Sequence, residues 1–244
     1  MRLLEHLVDR LRDALAGRPA PGREPLSPDP LRGAQAGAFR GVRAGLVQPD
    51  RTTCGSACLV VARMLGDADY ARWLGTGEVT GRPRDPRPQD RRFADEVLAT
   101  HVRTNRWYGA SGALQVAWPR ALGTAPWALA HELTVTGGTS PPGTRHRVRS
   151  VSPRRRGEAY DAVVHALALG HAVPLYVGNR SLPRHVVLVV GPVIGGDDAG
   201  LTAYDPATGR PATITRDAFE RGDLRLSGWS EPWFAVLPAG RTAH

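Results

Sequence analysis

Apolar positions change their period along this chain, and the change divides it into a helical first half and a stranded second half. In MRLLEHLVDRLRDALAG, Leu3, Leu4, Leu7, Val8, Leu11 and Leu15 fall at helical spacing and Gly17 supplies a stop, which predicts an amphipathic helix. Pro19, Pro21, Pro25, Pro28 and Pro30 then break any regular element, so residues 18–38 read as an extended arm. The division that follows is 1–38 as helix and proline-rich arm and 39–244 as one domain. CGSACLVVARMLG, ended by Gly66, is apolar on most sides and predicts a buried helix from Cys54. Residues 75–90 read as a surface loop. Arg91 to Thr104 is helical through Phe93, Val97, Leu98 and Val102, and Pro126 to Thr134 opens with proline in its first turn. A basic connection is expected over 137–157, then a helix over Glu158 to Leu169.

From residue 172 the pattern becomes one of short β-branched and aromatic runs between Gly, Pro, Asn and Asp. AVPLYVG (172–178), HVVLVVG (185–191), GLTAYDP (200–206), PATIT (211–215) and WFAVLP (233–238) predict strands of a mainly antiparallel sheet. Helices first and strands later is an α+β layout, with the helix that begins at Cys54 packed on the C-terminal sheet.

Composition adds limits. With 244 residues, 41% hydrophobic and 23% charged, the chain can bury one substantial core. The formal net charge is +9, and all 32 basic residues are Arg, a bias that points to a GC-rich coding sequence. The tightest cluster, Arg154-Arg155-Arg156, has no interleaved aromatics on which bases could stack, so a solvated basic surface is expected rather than a nucleic-acid site. Met1 to Ala16 carries charges at Arg2, Glu5, Asp9, Arg10, Arg12 and Asp13 and has no unbroken apolar core, so no Sec signal is read there; a cytoplasmic location or a non-Sec export route follows. No stretch is apolar enough to span a membrane.

The chemistry gathers at a few positions. Cys54 stands where the polar loop QPDRTT gives way to the apolar helix, and a helix N-terminus favours a thiolate through its free N–H groups and dipole. Gly55 keeps bulk away from the thiol. His185 opens the HVVLVVG strand, and Asp205, twenty residues on, closes the next one. Neighbouring strands can so present an imidazole beside a carboxylate that orients it and stabilises its cation. Gln48, just ahead of the helix, can give a side-chain amide to a developing oxyanion, with the Cys54 backbone N–H as second donor.

QPDRTTCGSACLVVARML, with Gln six residues before Cys, together with HVVLVVG and YDPATG, resembles peptidase family C39 and its relatives in the papain-like superfamily. The resemblance implies a papain-like fold and a peptide or protein substrate. It implies Cys54 as nucleophile, His185 as base, Asp205 as orienting acid and Gln48 as oxyanion-hole residue, with no cofactor. Residues 67–157 exceed what a minimal domain of that family needs and are expected to shape the cleft. The same acyl-thioester would serve glutamine deamidation, cross-linking or acyl transfer, and the choice stays open here. A non-enzymatic binding protein is a third reading, opposed by the presence of all four residues. Oligomeric state is not legible.

The remaining polar residues have plainer readings. Cys58, one turn after Cys54, reads as a packing residue, and His171 as a helix-end cap or surface residue. His6, His101, His131, His146, His165 and His244 lack metal-motif spacing. Trp107, Tyr108, Trp118 and Trp127 read as core, with one or two able to line a cleft.

Overall fold

The computed structural model describes residues 45–105, 118–119, 122–141, 143–193 and 200–239. The predicted N-terminal helix, the proline arm, the boundary near Ala38 and the Trp107-Tyr108 pair lie outside the described residues.

Four helices precede the sheet: α1 (Cys54–Gly66), α2 (Ala68–Thr76), α3 (Gln89–Thr104) and α4 (Pro126–Thr136). They are followed by β1 (Arg145–Ser150), α5 (Arg156–Ala168), β2 (Val173–Gly178), β3 (Pro183–Pro192), β4 (Gly200–Asp205), β5 (Arg210–Thr215), α6 (Arg216–Arg221) and β6 (Glu231–Ala239). The six strands form one antiparallel sheet in the order β1-β6-β2-β3-β4-β5. The α+β layout is the one expected.

The sheet is covered on both faces, which explains why its central strands read as continuous apolar runs instead of alternating ones. In β3, Val186, Leu188 and Val190 join the core cluster shared with α1, α3 and α4. Val187 and Val189 join the cluster shared with α5 and α6. Helix α1 lies against β3, and its residues Cys54 to Ala62 are all buried. This fixes the helix carrying the thiol over the strand carrying the imidazole.

Three elements differ from the sequence reading. Strand β1 occupies residues expected to be a connection. Its alternate Arg residues leave only His146 buried and Val148 partly buried against the core, too short an apolar signal to stand out. As an edge strand it carries charge, which discourages pairing with other chains. Helix α2 was not foreseen. Its cap, Asp67, serves twice, since its N–H closes α1 on the Arg63 carbonyl and its carboxylate accepts from the Tyr70 N–H. Helix α6, one and a half turns long, was also unmarked; Thr215 caps it and Gly222 ends it in the left-handed region.

Gly66 gives a test of the α1–α4 packing. A Cβ there would fall within the van der Waals radius of the Gly138 carbonyl oxygen, which is backbone and cannot swing away. Helix propensity alone would favour Gly66→Ala by about 1 kcal/mol. The overlap should reverse the sign, destabilising by roughly 1–3 kcal/mol in urea unfolding; a stabilised G66A protein would contradict the packing.

Candidate active site

The turn before α1 is built from side chains. The Asp50 carboxylate accepts from the Thr52 N–H at 2.7 Å and from the Thr52 hydroxyl at 2.8 Å, and the Thr53 hydroxyl turns back to the Asp50 carbonyl at 3.1 Å. Thr53, the N-cap residue, therefore leaves the first helical N–H groups without a side-chain cap. The Cys54 N–H, first in the helix, has no intrahelical carbonyl to bond, so it is suited to receive an anion. Gly55 is required for a different reason from the one expected. A Cβ there would lie 2.8 Å from the Thr124 Cβ, so the glycine lets α1 seat against the segment leading into α4.

The Gln48 segment is tied to the turn that follows Asp205. The Gln48 N–H donates to the Pro206 carbonyl at 2.8 Å, the Gly45 N–H to that of Gly209 at 3.4 Å, and the buried Tyr204 hydroxyl to that of Leu46 at 2.5 Å. Gln48 Nε2 donates to the Asp50 carbonyl at 2.7 Å, while its Oε1 is buried with no hydrogen-bond partner among the described residues. One amide N–H is thus spent on holding the loop, and one is left for the oxyanion role that the resemblance implies.

His185 and Asp205 sit on adjoining antiparallel strands: with Leu188 opposite Tyr204, the start of β3, which holds His185, and the end of β4, which holds Asp205, fall at the same end of the sheet. The His185 Nε2–H donates to Asp205 Oδ1 at 2.8 Å. Oδ1 also accepts from the Ala207 N–H at 3.0 Å, and Oδ2 accepts from the Ser227 hydroxyl at 2.6 Å. Cys54 also acts on the ring and favours its charged form. With Nε2 committed to Asp205, Nδ1 is the nitrogen that serves the thiol. Cys54, His185 and Asp205 are 2%, 5% and 3% exposed, so the charges here act with little screening by water.

Electrostatics follow the geometry. Burial works against an imidazolium, but the hydrogen bond to Asp205 and the influence of Cys54 outweigh it and push His185 up to about 9. Burial likewise works against the Asp205 carboxylate, and the bonds from His185, Ser227 and Ala207 hold it below its ordinary value. Cys58 differs from its neighbour. It is fully buried, its Sγ donates to the Val186 carbonyl at 3.5 Å, and burial, with Cys54 and Asp205 adding to it, raises its thiol well above the ordinary value. It is a neutral packing thiol, in line with its sequence reading.

Three of the four predicted residues, Cys54, His185 and Asp205, are in direct succession, and Gln48 is one hydrogen bond from the Asp205 turn. Ser227 was missed. Its signal was the Ser-Gly pair between Leu226 and Trp229, a two-residue hairpin pattern. His171 does cap the end of α5, its N–H donating to the Ala166 carbonyl at 2.9 Å, but it is buried rather than on the surface, its Nδ1 2.8 Å from the Ser140 hydroxyl, which also lies 3.0 Å from His146 Nε2. Burial and the facing His171 push His146 down to about 4, as expected of neutral rings pinning two turns together.

Trp118 and Trp127 pack edge to face at 5.3 Å. In the arginine triplet, Arg155 pairs with Glu158 at 2.7 Å and Arg156 is buried against Glu231, so two of the three are engaged within the fold. Among the described residues, no cluster of three or more His, Cys, Asp or Glu is placed to hold a metal ion, and no helix is long and apolar enough to cross a membrane. No protein-family model and no curated protein matches this chain.

The His185 shift has a consequence for stability. Its value in the fold, about 9, exceeds the ordinary 6.5, so it stabilises the native state fully below about 6.5 and loses that contribution as pH rises through about 9. Asp205 is shifted downward and loses its part only as pH falls through its depressed value. The stability gap between the wild type and His185→Gln in urea should therefore be widest near pH 6 and narrow by up to about 3 kcal/mol toward pH 10. A gap independent of pH over that range would remove the pairing.

Proposed function

We propose that this chain is a cysteine-nucleophile hydrolase of peptide bonds, with a papain-like fold and a C39-like site, acting on a peptide or protein substrate. The observation that carries the reading is the relay Cys54–His185–Asp205. It joins a helix N-terminus and two neighbouring strands, with the imidazole bonded to a buried carboxylate at 2.8 Å and its charged form favoured by the nearby thiol.

The chemistry follows from that arrangement. His185 carries the thiol proton, and the Cys54 sulfur attacks the substrate carbonyl carbon, forming a C–S bond and an oxyanion. The Cys54 N–H and the remaining N–H of Gln48 stabilise the oxyanion charge. As the C–N bond breaks, the imidazolium gives its proton to the leaving amine, and a thioester remains on Cys54. Water, deprotonated by neutral His185, then attacks the thioester and the acid departs, returning the thiol. Asp205 stays ionised throughout; it orients the ring and offsets its positive charge.

Substitution provides the test. Cys54→Ala or Cys54→Ser should lower turnover by at least about 10³-fold, and Asp205→Asn, isosteric but uncharged, by on the order of 10²-fold. Products are read by mass spectrometry of candidate peptides. Cleaved chains support the hydrolase; deamidated glutamine or an adduct moves the same site to another acceptor. In native protein iodoacetamide should label Cys54 ahead of Cys58, and the reverse order would refute the assignment.

A further inference from the structure

We propose that Ser227 is a positioning residue of this site, fixing the plane of the Asp205 carboxylate so that one oxygen is permanently presented to His185. The inference rests on the functional reading above. Leu226 and Trp229 exchange both backbone hydrogen bonds, at 3.2 and 2.9 Å, which leaves Ser227 and Gly228 as a two-residue loop. Their φ values are 49° and 87°, the pair of left-handed conformations that such a hairpin turn demands. Glycine, asparagine and aspartate suit that geometry; serine is a poorer fit. Ser227 is the one non-glycine residue with positive φ among those described.

Strain of this kind needs surroundings that enforce it. Leu226 is fully buried and Leu224 nearly so, the Leu224 N–H donates to the Ser230 carbonyl at 3.0 Å, and the Ser230 N–H donates to that of Gly178, at the end of β2, at 3.1 Å. The loop tip is therefore held from the sheet, and its hydroxyl donates to Asp205 Oδ2 at 2.6 Å.

The carboxylate needs that bond. Rotation about the Asp Cβ–Cγ bond has no sharp staggered wells, so side-chain preference does not orient the group. The bonds to Oδ1 come from His185 and Ala207; Ser227 holds the opposite oxygen and prevents the plane from turning. The same bond contributes to the lowered Asp205 value. The titratable groups that bear on Asp205 are His185 from β3, Cys58 from α1 and Tyr204 on its own strand, with Cys54 acting through His185.

Ser227→Gly removes the hydroxyl while relaxing the backbone, and Ser227→Asn restores a donor on a residue that tolerates the turn. Three readouts are taken on full-length protein: thermal midpoint, the pH profile of Cys54 alkylation by iodoacetamide with the labelled residue identified by peptide mapping, and the Asp205 carboxyl titration in ¹³C-labelled protein. S227G should melt within a few degrees of the wild type yet alkylate about tenfold more slowly, on the scale of one hydrogen bond to a charged group. Its acid limb should move to higher pH, its Asp205 titration should move upward, and S227N should recover most of both. An unmoved Asp205 titration overturns the proposal, as does a slowing that tracks a lowered melting temperature and is not recovered in S227N. If wild-type Cys54 alkylates no faster than a free thiol, the hydrolase reading fails; the Asp205 shift in S227G still reports on Ser227.

Discussion

A single hydrogen bond, 2.8 Å long and shielded from water, organises this molecule: the one between the His185 ring and the Asp205 carboxylate. An isolated charge at either position would be heavily penalised by burial. Together they hold each other in the charged form, and three further partners complete the arrangement: Ser227 and Ala207 on the carboxylate and Cys54 on the ring. Removing one member would strand the other as an uncompensated buried group, so the pair constrains everything packed around it.

That constraint is met mostly by backbone. The antiparallel pairing of β3 with β4 brings the start of one and the end of the other, and with them His185 and Asp205, to one end of the sheet. The loop carrying Gln48 is fastened to the 206–209 turn by main-chain bonds and by the Tyr204 hydroxyl, and the hairpin carrying Ser227 is fastened to the end of β2. Helix α1 is seated over β3 by a buried face from Cys54 to Ala62 and by Gly55 against Thr124. Five chain segments thus converge on one end of the sheet, each anchored independently of the side chain it delivers. Such anchoring suits the proposed site, whose groups must be held within the small tolerance that proximity effects require.

The two thiols of α1 show how far position governs chemistry. They are one helical turn apart on the same helix, yet Cys54 meets an imidazole at the helix start, whereas Cys58 meets only a backbone carbonyl and apolar walls. The arginines divide similarly. Arg156 is buried against Glu231, while others form surface pairs with Asp or Glu that contribute little each.

Sequence alone was enough to determine the α+β order, five of the six strands, four of the helices and the residues Cys54, His185 and Asp205. These were legible because apolar period reflects burial, and because a Cys at a polar-to-apolar boundary, a His opening a strand and an Asp before Pro each carry a local mark. What only the tertiary structure decided were features whose cause is a distant partner. Strand β1 exists because β6 supplies its hydrogen bonds, and His171 is buried because Ser140 reaches it. Gly55 answers to Thr124, and Ser227 gains its part from Asp205, twenty-two residues earlier. A side chain's local pattern records which face it takes; what it touches there is set by packing between elements, which no short window of sequence contains.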